Sequence, residues 1–140
     1  MTDNHNFLLN LSVLYRNIQK YFDHVLAPYE IGSGQVIILM VINENTGITM
    51  QEVSTICEID KGTCTKSVNR LIEQEYVQVR QDEKDRRKSI LSLTEKGRNI
   101  IREVYPENAE MIHKAFSVWN DREKGDLKRL LASYWDQKNF

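Results

Sequence analysis

The sequence predicts a mainly α-helical chain with one small β-hairpin, on three observations. Apolar residues recur at three- and four-residue steps through most of the 140 residues, the spacing that builds one face of a helix. Two short segments, 76–80 and 89–93, instead alternate apolar and polar side chains, as half-buried strands do. Residues suited to helix N-caps (Ser33, Thr49, Asp60, Thr94 and Asn120) stand where the periodic runs begin.

The first run, 6–26, carries Phe7, Leu8, Leu11, Leu14, Tyr15, Ile18, Tyr21, Phe22, Val25 and Leu26. So broad a stripe predicts two buried faces, and Pro28, lacking an N–H, ends the helix. Ser33 is expected to cap a second helix over 33–44. The unbroken apolar stretch from Val36 to Ile42 fits a helix packed on most sides, although a buried strand would show the same periodicity. Thr49 and Glu52 have the spacing of a capping box, opening a short helix to about Cys57 with Met50, Val53 and Ile56 inward. Asp60 caps the next, over 61–75. Its inward positions are Cys64, Val68, Leu71 and Ile72, and its outward ones Lys61, Gly62, Thr63, Thr65, Lys66, Asn69 and Arg70. After the hairpin, Thr94 caps a helix with Gly97 in its first turn, continued by Ile100, Ile101, Val104, Met111, Ile112, Ala115, Phe116 and Trp119. Pro106 is expected to kink or interrupt it near Tyr105. A last helix starts at Asn120 and Asp121 and carries Leu127, Leu130, Leu131, Tyr134 and Trp135.

Length and composition fit one domain able to bury a core without a metal or a disulfide. No apolar run reaches the ~18 residues of a membrane span, and the N-terminus lacks the basic and apolar segments of a secretory signal. A cytoplasmic protein without membrane contact is expected. Cys57 and Cys64 match no zinc spacing and read as small apolar residues. The net charge is −1, but it is unevenly spread: residues 61–102 carry 11 Lys/Arg against 6 acids, and the remainder is net −6. A basic middle between acidic ends concentrates positive potential on one surface, the footprint of a nucleic-acid binder.

Two short helices joined by Glu58, Ile59 and Asp60 and followed by a hairpin form a winged helix-turn-helix. In that arrangement the second helix enters the major groove and offers its N-terminal side chains to base edges. Thr63 and Thr65 can hydrogen-bond bases or touch a thymine methyl, Lys66 and Arg70 can reach guanine or phosphate, and Asn69 can pair with adenine. Lys61 stands beside them. At the hairpin tip, Lys84, Arg86, Arg87 and Lys88 surround Asp85, and arginine is drawn to the negative potential of a narrow minor groove. A solvated, purely structural charge run is the plainer reading of such a loop, and its offset from the helix-turn-helix makes that reading the weaker.

The stretch from Ile48 to Gly97 resembles the DNA-binding lobe of the MarR family. The resemblance rests on Asp85-Arg86-Arg87, then Ile90, then Leu93-Thr94-Glu95-Lys96-Gly97, with Thr63–Glu73 upstream similar to the family's recognition helix. The order of helices extends it over nearly the whole chain. It implies that Arg87 enters the minor groove, that Asp85 braces the wing, and that Thr63, Thr65 and Lys66 face the major groove. Two positions depart from the family: Glu75-Tyr76 where a glycine often precedes the first wing strand, and Asn69 where an acid is common. The resemblance also implies a homodimer built from the terminal helices. The apolar residues Phe7, Leu8, Leu11, Leu130, Leu131, Tyr134 and Trp135 support that independently, being more than one small core needs.

The expected organisation is therefore one domain over 1–140, with a winged DNA-binding lobe at 30–95 and dimerisation helices at 6–28 and 96–138. The expected partners are a palindromic duplex operator, a second copy of the chain, and a small aromatic or anionic effector of the kind the family often binds between its dimer helices and DNA lobe. Tyr15, Arg16, Tyr21, His24 and His113 are the candidates for that pocket, although aromatic side chains mostly serve as core. No enzyme, metal or cofactor is expected: His5, His24 and His113 are scattered, and phosphate-loop and nucleophile motifs are missing from the sequence. The competing readings are a winged-helix module for protein partners and a regulator that responds through Cys57 or Cys64.

Overall fold

The computed structural model describes the backbone of residues 4–138 and the side chains of residues 6–104 and 113–137. Its first helix, α1 (Asn4–Leu26), buries Phe22 and Leu26, with Ile18 and Tyr21 partly covered. Phe7, Leu8, Leu9, Leu11, Val13 and Tyr15 are exposed in the single chain. Full burial in the single chain is thus confined to the C-terminal end of α1. A 3₁₀ turn, Ala27–Tyr29, absorbs Pro28 where the missing N–H is harmless, and Glu30 follows in the left-handed region at φ 59°.

The second helix, α2 (Ser33–Glu44), is capped by Gly32 and not by Ser33. Gln35 folds back so that its side-chain oxygen accepts the Gly32 N–H (2.9 Å), and the Ser33 N–H donates to Asp23 Oδ1 (2.9 Å). Asp23 therefore satisfies one of the free N–H groups at the start of α2. Burial of Val36, Leu39 and Ile42 with Ile37 exposed settles the apolar stretch as helix.

Helices α3 (Met50–Cys57) and α4 (Lys61–Glu73) meet through a turn in which Glu58 is left-handed, at φ 51°. Thr49 accepts the Glu52 N–H (3.2 Å) and donates its hydroxyl to Glu52 Oε1 (3.0 Å), so the expected box closes through the hydroxyl. Asp60 caps α4 by accepting the Thr63 N–H at 2.8 Å. Val53, Cys64, Val68 and Leu71 are fully buried.

Strands β1 (Val77–Gln81) and β2 (Ser89–Leu93) pair antiparallel, with Val77 opposite Leu93 and Gln81 opposite Ser89. The first strand begins one residue later than its alternation predicts, because Tyr76 is drawn into the core as its N–H bonds to the Leu71 carbonyl (2.9 Å). Ile48 adds a one-residue bridge to Leu91, which ties the entry of α3 to the hairpin.

Helix α5 (Glu95–Ala115) starts under Thr94, whose hydroxyl accepts the Gly97 N–H (3.1 Å). A Cβ on Gly97 would lie 2.2 Å from the Tyr76 carbonyl oxygen, so the helix can approach the hairpin only with glycine there. The helix runs unbroken past Pro106, so the proline does not interrupt it; the side chains of Met111 and Ile112 lie outside the described residues. The chain divides into two compact units, 1–104 and 105–140. In the second, Phe116 and Trp119 stack at 4.8 Å, and Asn120 and Glu123 cap helix α6 (Asp121–Lys138) reciprocally at 2.9 and 3.0 Å. Leu130, Leu131 and Tyr134 are exposed along α6.

Candidate nucleic-acid interface

The side chains that α4 turns away from the core form a polar stripe. Lys61, Thr65, Lys66 and Asn69 are exposed, and their three- and four-residue spacing sets them on one face. None has a hydrogen-bond or ion-pair partner among the described residues. Thr63 differs, because its hydroxyl donates to Asp60 Oδ2 (2.7 Å), which leaves the methyl group and the oxygen lone pairs available. Hydrogen bonds from the Thr63 hydroxyl and N–H hold the Asp60 carboxyl below its ordinary pKa, so the cap is ionised at neutral pH. Arg70 also stands apart. Its guanidinium donates to the Glu30 carbonyl at 3.3 Å and so turns toward the α1–α2 corner.

The loop between β1 and β2 is braced by its own aspartates. Asp82 accepts the Lys84 N–H (3.1 Å), and Asp85 accepts the Arg87 N–H (3.1 Å), the local turn these short side chains favour. The Arg87 side chain is 97% exposed, with its Nε 3.9 Å from Asp85 Oδ1. Asp85 therefore shapes the tip while Arg87 projects from it. Lys84, Arg86 and Lys88 are also exposed.

Between the α3 N-terminus and the base of the wing lies an open cleft of about 630 Å³. Gln51 and Thr55 line one side, and Arg87 and Lys88 the other. Orphan N–H groups at a helix start attract anions, and two cations face them across this cleft. Sequence reading missed Gln51 and Thr55. Only their outward position on α3, next to a basic wing, could have marked them.

The five residues expected to form an effector pocket are not gathered by the described cavities. Tyr15 and His24 are exposed on α1, Arg16 bonds to Ser12, and Tyr21 packs edge-on against Phe22 at 5.6 Å. His113 is exposed and belongs to the second unit. Burial raises the pKa of both cysteines, helped at Cys57 by the neighbouring Cys64 and at Cys64 by Asp60. Both therefore favour the thiol over the reactive thiolate. Among the described residues no group of His, Cys, Asp and Glu could hold a metal, and no single helix is long and apolar enough to cross a membrane.

The MarR family model matches residues 30–88, the stretch that contains both candidate DNA-facing elements. The HTH-type transcriptional regulator BilQ of Clostridioides difficile (strain CD3) is 30% identical over 114 residues, covering 81% of this chain and 72% of BilQ. A MarR transcriptional regulator from Methanosarcina mazei Go1 superposes with a TM-score of 0.85 at 32% identity, covering 96% of each chain. A MarR family regulator from Listeria monocytogenes, solved in complex with 26mer DNA, has the same fold. Its TM-score is 0.85 at 23% identity, over 98% of this chain and 89% of that one. Winged architecture, family match and near full-length relatives agree, and the chain belongs to the MarR family of winged helix-turn-helix transcriptional regulators.

Proposed function

We propose that two copies of the chain bind a palindromic site in double-stranded DNA and repress transcription until a small aromatic or anionic effector releases them. The observation that carries this reading is α4 itself. The helix commits Cys64, Val68 and Leu71 to the core and leaves Lys61, Thr65, Lys66 and Asn69 without side-chain partners among the described residues. Such a stripe suits base edges and phosphates. Thr63 adds its methyl group, while Asp85 and the cations Lys84, Arg86, Arg87 and Lys88 provide a wing for the adjoining groove. The Listeria relative's complex with DNA supports the same use of the fold.

The lobe at 30–95 would carry DNA contact and the helices at 6–28 and 96–138 the dimer. A twofold dimer would set two recognition helices one DNA turn apart, ~34 Å. Its seams would be the apolar residues exposed on α1 and α6 in the single chain. Tyr15, Arg16, Tyr21, His24 and His113 remain the candidates for an effector site completed in the dimer. The reading is of a cytoplasmic regulator without a catalytic step. The raised thiol pKa values argue against Cys57 or Cys64 as its trigger.

The test is fluorescence anisotropy with labelled DNA from upstream of the chain's own gene, at low and moderate salt, beside an unrelated duplex. Tight, salt-sensitive binding that prefers the upstream DNA is expected, with Arg87→Ala weakening it about tenfold, the effect of losing ~1.4 kcal/mol. No binding to any duplex at low salt would favour a module for protein partners.

A further inference from the structure

The two ends of α4 are treated differently. On the outward face of its N-terminal half, Lys61, Thr65, Lys66 and Asn69 have no side-chain partner among the described residues, whereas its C-terminal end is gripped from two sides. On one side, three donors converge on two consecutive carbonyls of the α1–α2 corner. Arg70 (3.3 Å) and the Gln74 side-chain amide (2.8 Å) both donate to the Glu30 carbonyl, and the Tyr76 hydroxyl donates to the Tyr29 carbonyl (2.8 Å). Glu30 holds its carbonyl there from a left-handed backbone, at φ 59°, a conformation that costs a non-glycine residue about 1 kcal/mol. On the other side, the start of α5 takes hold of the same segment. Lys96 Nζ donates to the Gln74 carbonyl (2.9 Å) and lies 4.6 Å from the Tyr76 ring centroid, and the Thr94 hydroxyl donates to the Glu75 carbonyl (2.6 Å).

We propose that Arg70, Gln74 and Tyr76 are positioning residues, latching the end of α4 to the α1–α2 corner and setting the angle at which the recognition helix meets DNA. Arg70 then acts on Glu30 and not on DNA. The inference rests on the DNA-binding reading above and goes beyond it by separating residues that touch DNA from residues that aim the helix.

The lever is geometric. Thirteen residues make α4 about 20 Å long at ~1.5 Å per residue. A pivot of about 5° at the latched end moves the far end by roughly 1.7 Å, more than the ~0.5 Å range over which a hydrogen bond to a base stays good. Non-specific attraction to phosphates tolerates such a shift, since it depends on charge and not on register. Loss of the latch therefore lowers the preference for the correct sequence and spares general DNA affinity. A lost phosphate contact weakens every duplex and reduces the salt dependence.

The experiment uses the full chain, a duplex selected from a random pool by the wild-type protein, and an unrelated duplex of equal length, each titrated by anisotropy across a salt series. The variants are Arg70→Ala, Arg70→Lys, Gln74→Ala and Tyr76→Phe, the last keeping the buried ring. Arg86→Ala serves as the phosphate-contact control. Arg70→Ala and Tyr76→Phe are each expected to reduce affinity for the selected duplex about fivefold. The unrelated duplex and the salt slope should stay unchanged, and Arg70→Lys should recover part of the preference. Arg86→Ala should weaken both duplexes and flatten the slope by about one. The latch is overturned if Arg70→Ala weakens both duplexes alike with a flatter slope, or if Gln74→Ala and Tyr76→Phe leave the preference intact. Failure of the wild-type chain to enrich or bind any duplex would instead defeat the DNA-binding reading, and the latch with it.

Discussion

The winged lobe and the first half of α1 are both rich in apolar residues, but only the lobe covers its own. Val36, Leu39, Val53, Val68 and Leu71 are wholly buried, while Leu8 is 68% exposed and Tyr15 63%. The lobe closes because three helices and a hairpin bring apolar faces together from several directions. Along the first turns of α1, Phe7, Leu8, Leu9, Leu11, Val13 and Tyr15 stay exposed among the described residues. The contrast teaches that apolar periodicity marks what must be buried without saying by which molecule. Residues 7–15 read the same whether the covering surface belongs to the chain or to its copy.

The largest effect is expected at the proposed interface between α1 and a second copy. Leu8→Ala with Leu11→Ala removes four side chains from a twofold interface. At about 1 kcal/mol each, a conservative share of a buried leucine, the dimer dissociation constant should rise about a thousandfold. Sedimentation equilibrium measures it. A dimer of unchanged affinity would show that another surface joins the protomers. The same residues are exposed in the single chain, so the monomer's own stability should move by less than ~0.5 kcal/mol.

Within the lobe the reverse holds, and stability should carry the whole effect. Gly97→Ala forces a Cβ to within 2.2 Å of the Tyr76 carbonyl oxygen, so helix and hairpin must part. A loss of about 3 kcal/mol in denaturant unfolding is expected, at the upper end for overpacking. A variant as stable as the parent would mean that the junction has slack.

The smallest effect concerns the charge on the α4 cap. Asp60 has its pKa lowered by the folded state, so it stabilises the fold fully above its unfolded pKa, ~3.9, and that contribution is lost as pH falls through the lower folded value. Asp60→Asn keeps a capping oxygen and removes the titration. The gap in melting temperature between parent and variant should be present at pH 7 and should shrink as pH falls below about 4. A gap that stays constant down to pH 2 would assign it to geometry alone.

Much of this architecture was legible in the sequence because it depends on neighbours in the chain. Thr49, Asp60, Thr94 and Asn120 cap helices within three residues of themselves. The outward face of α4 follows from its period, and the charged hairpin tip from the polar run between two alternating segments. Where reading along the chain went astray, the partner was distant. Gly32 took the capping position because Asp23, ten residues back, serves the Ser33 N–H. The first strand starts at Val77 because the core claims Tyr76. The departure at Glu75 acquires a meaning only in three dimensions. Its φ of 64° explains why glycine is common at the position, and the Thr94 hydroxyl bound to its carbonyl helps to hold a glutamate there.

The candidate interface divides in the same way. The sequence by itself determined that Lys61, Thr63, Thr65, Lys66 and Asn69 share one helix face and that Arg86, Arg87 and Lys88 crowd a hairpin tip, because period and turn chemistry are local. Tertiary structure alone decided that Arg70, on that same helix, bends to a carbonyl 40 residues away, and that Gln51 and Thr55 face Arg87 and Lys88 across a cleft. A side chain's outward direction is set by the backbone it stands on. What it meets is set by packing between elements far apart in the chain, which no local pattern encodes.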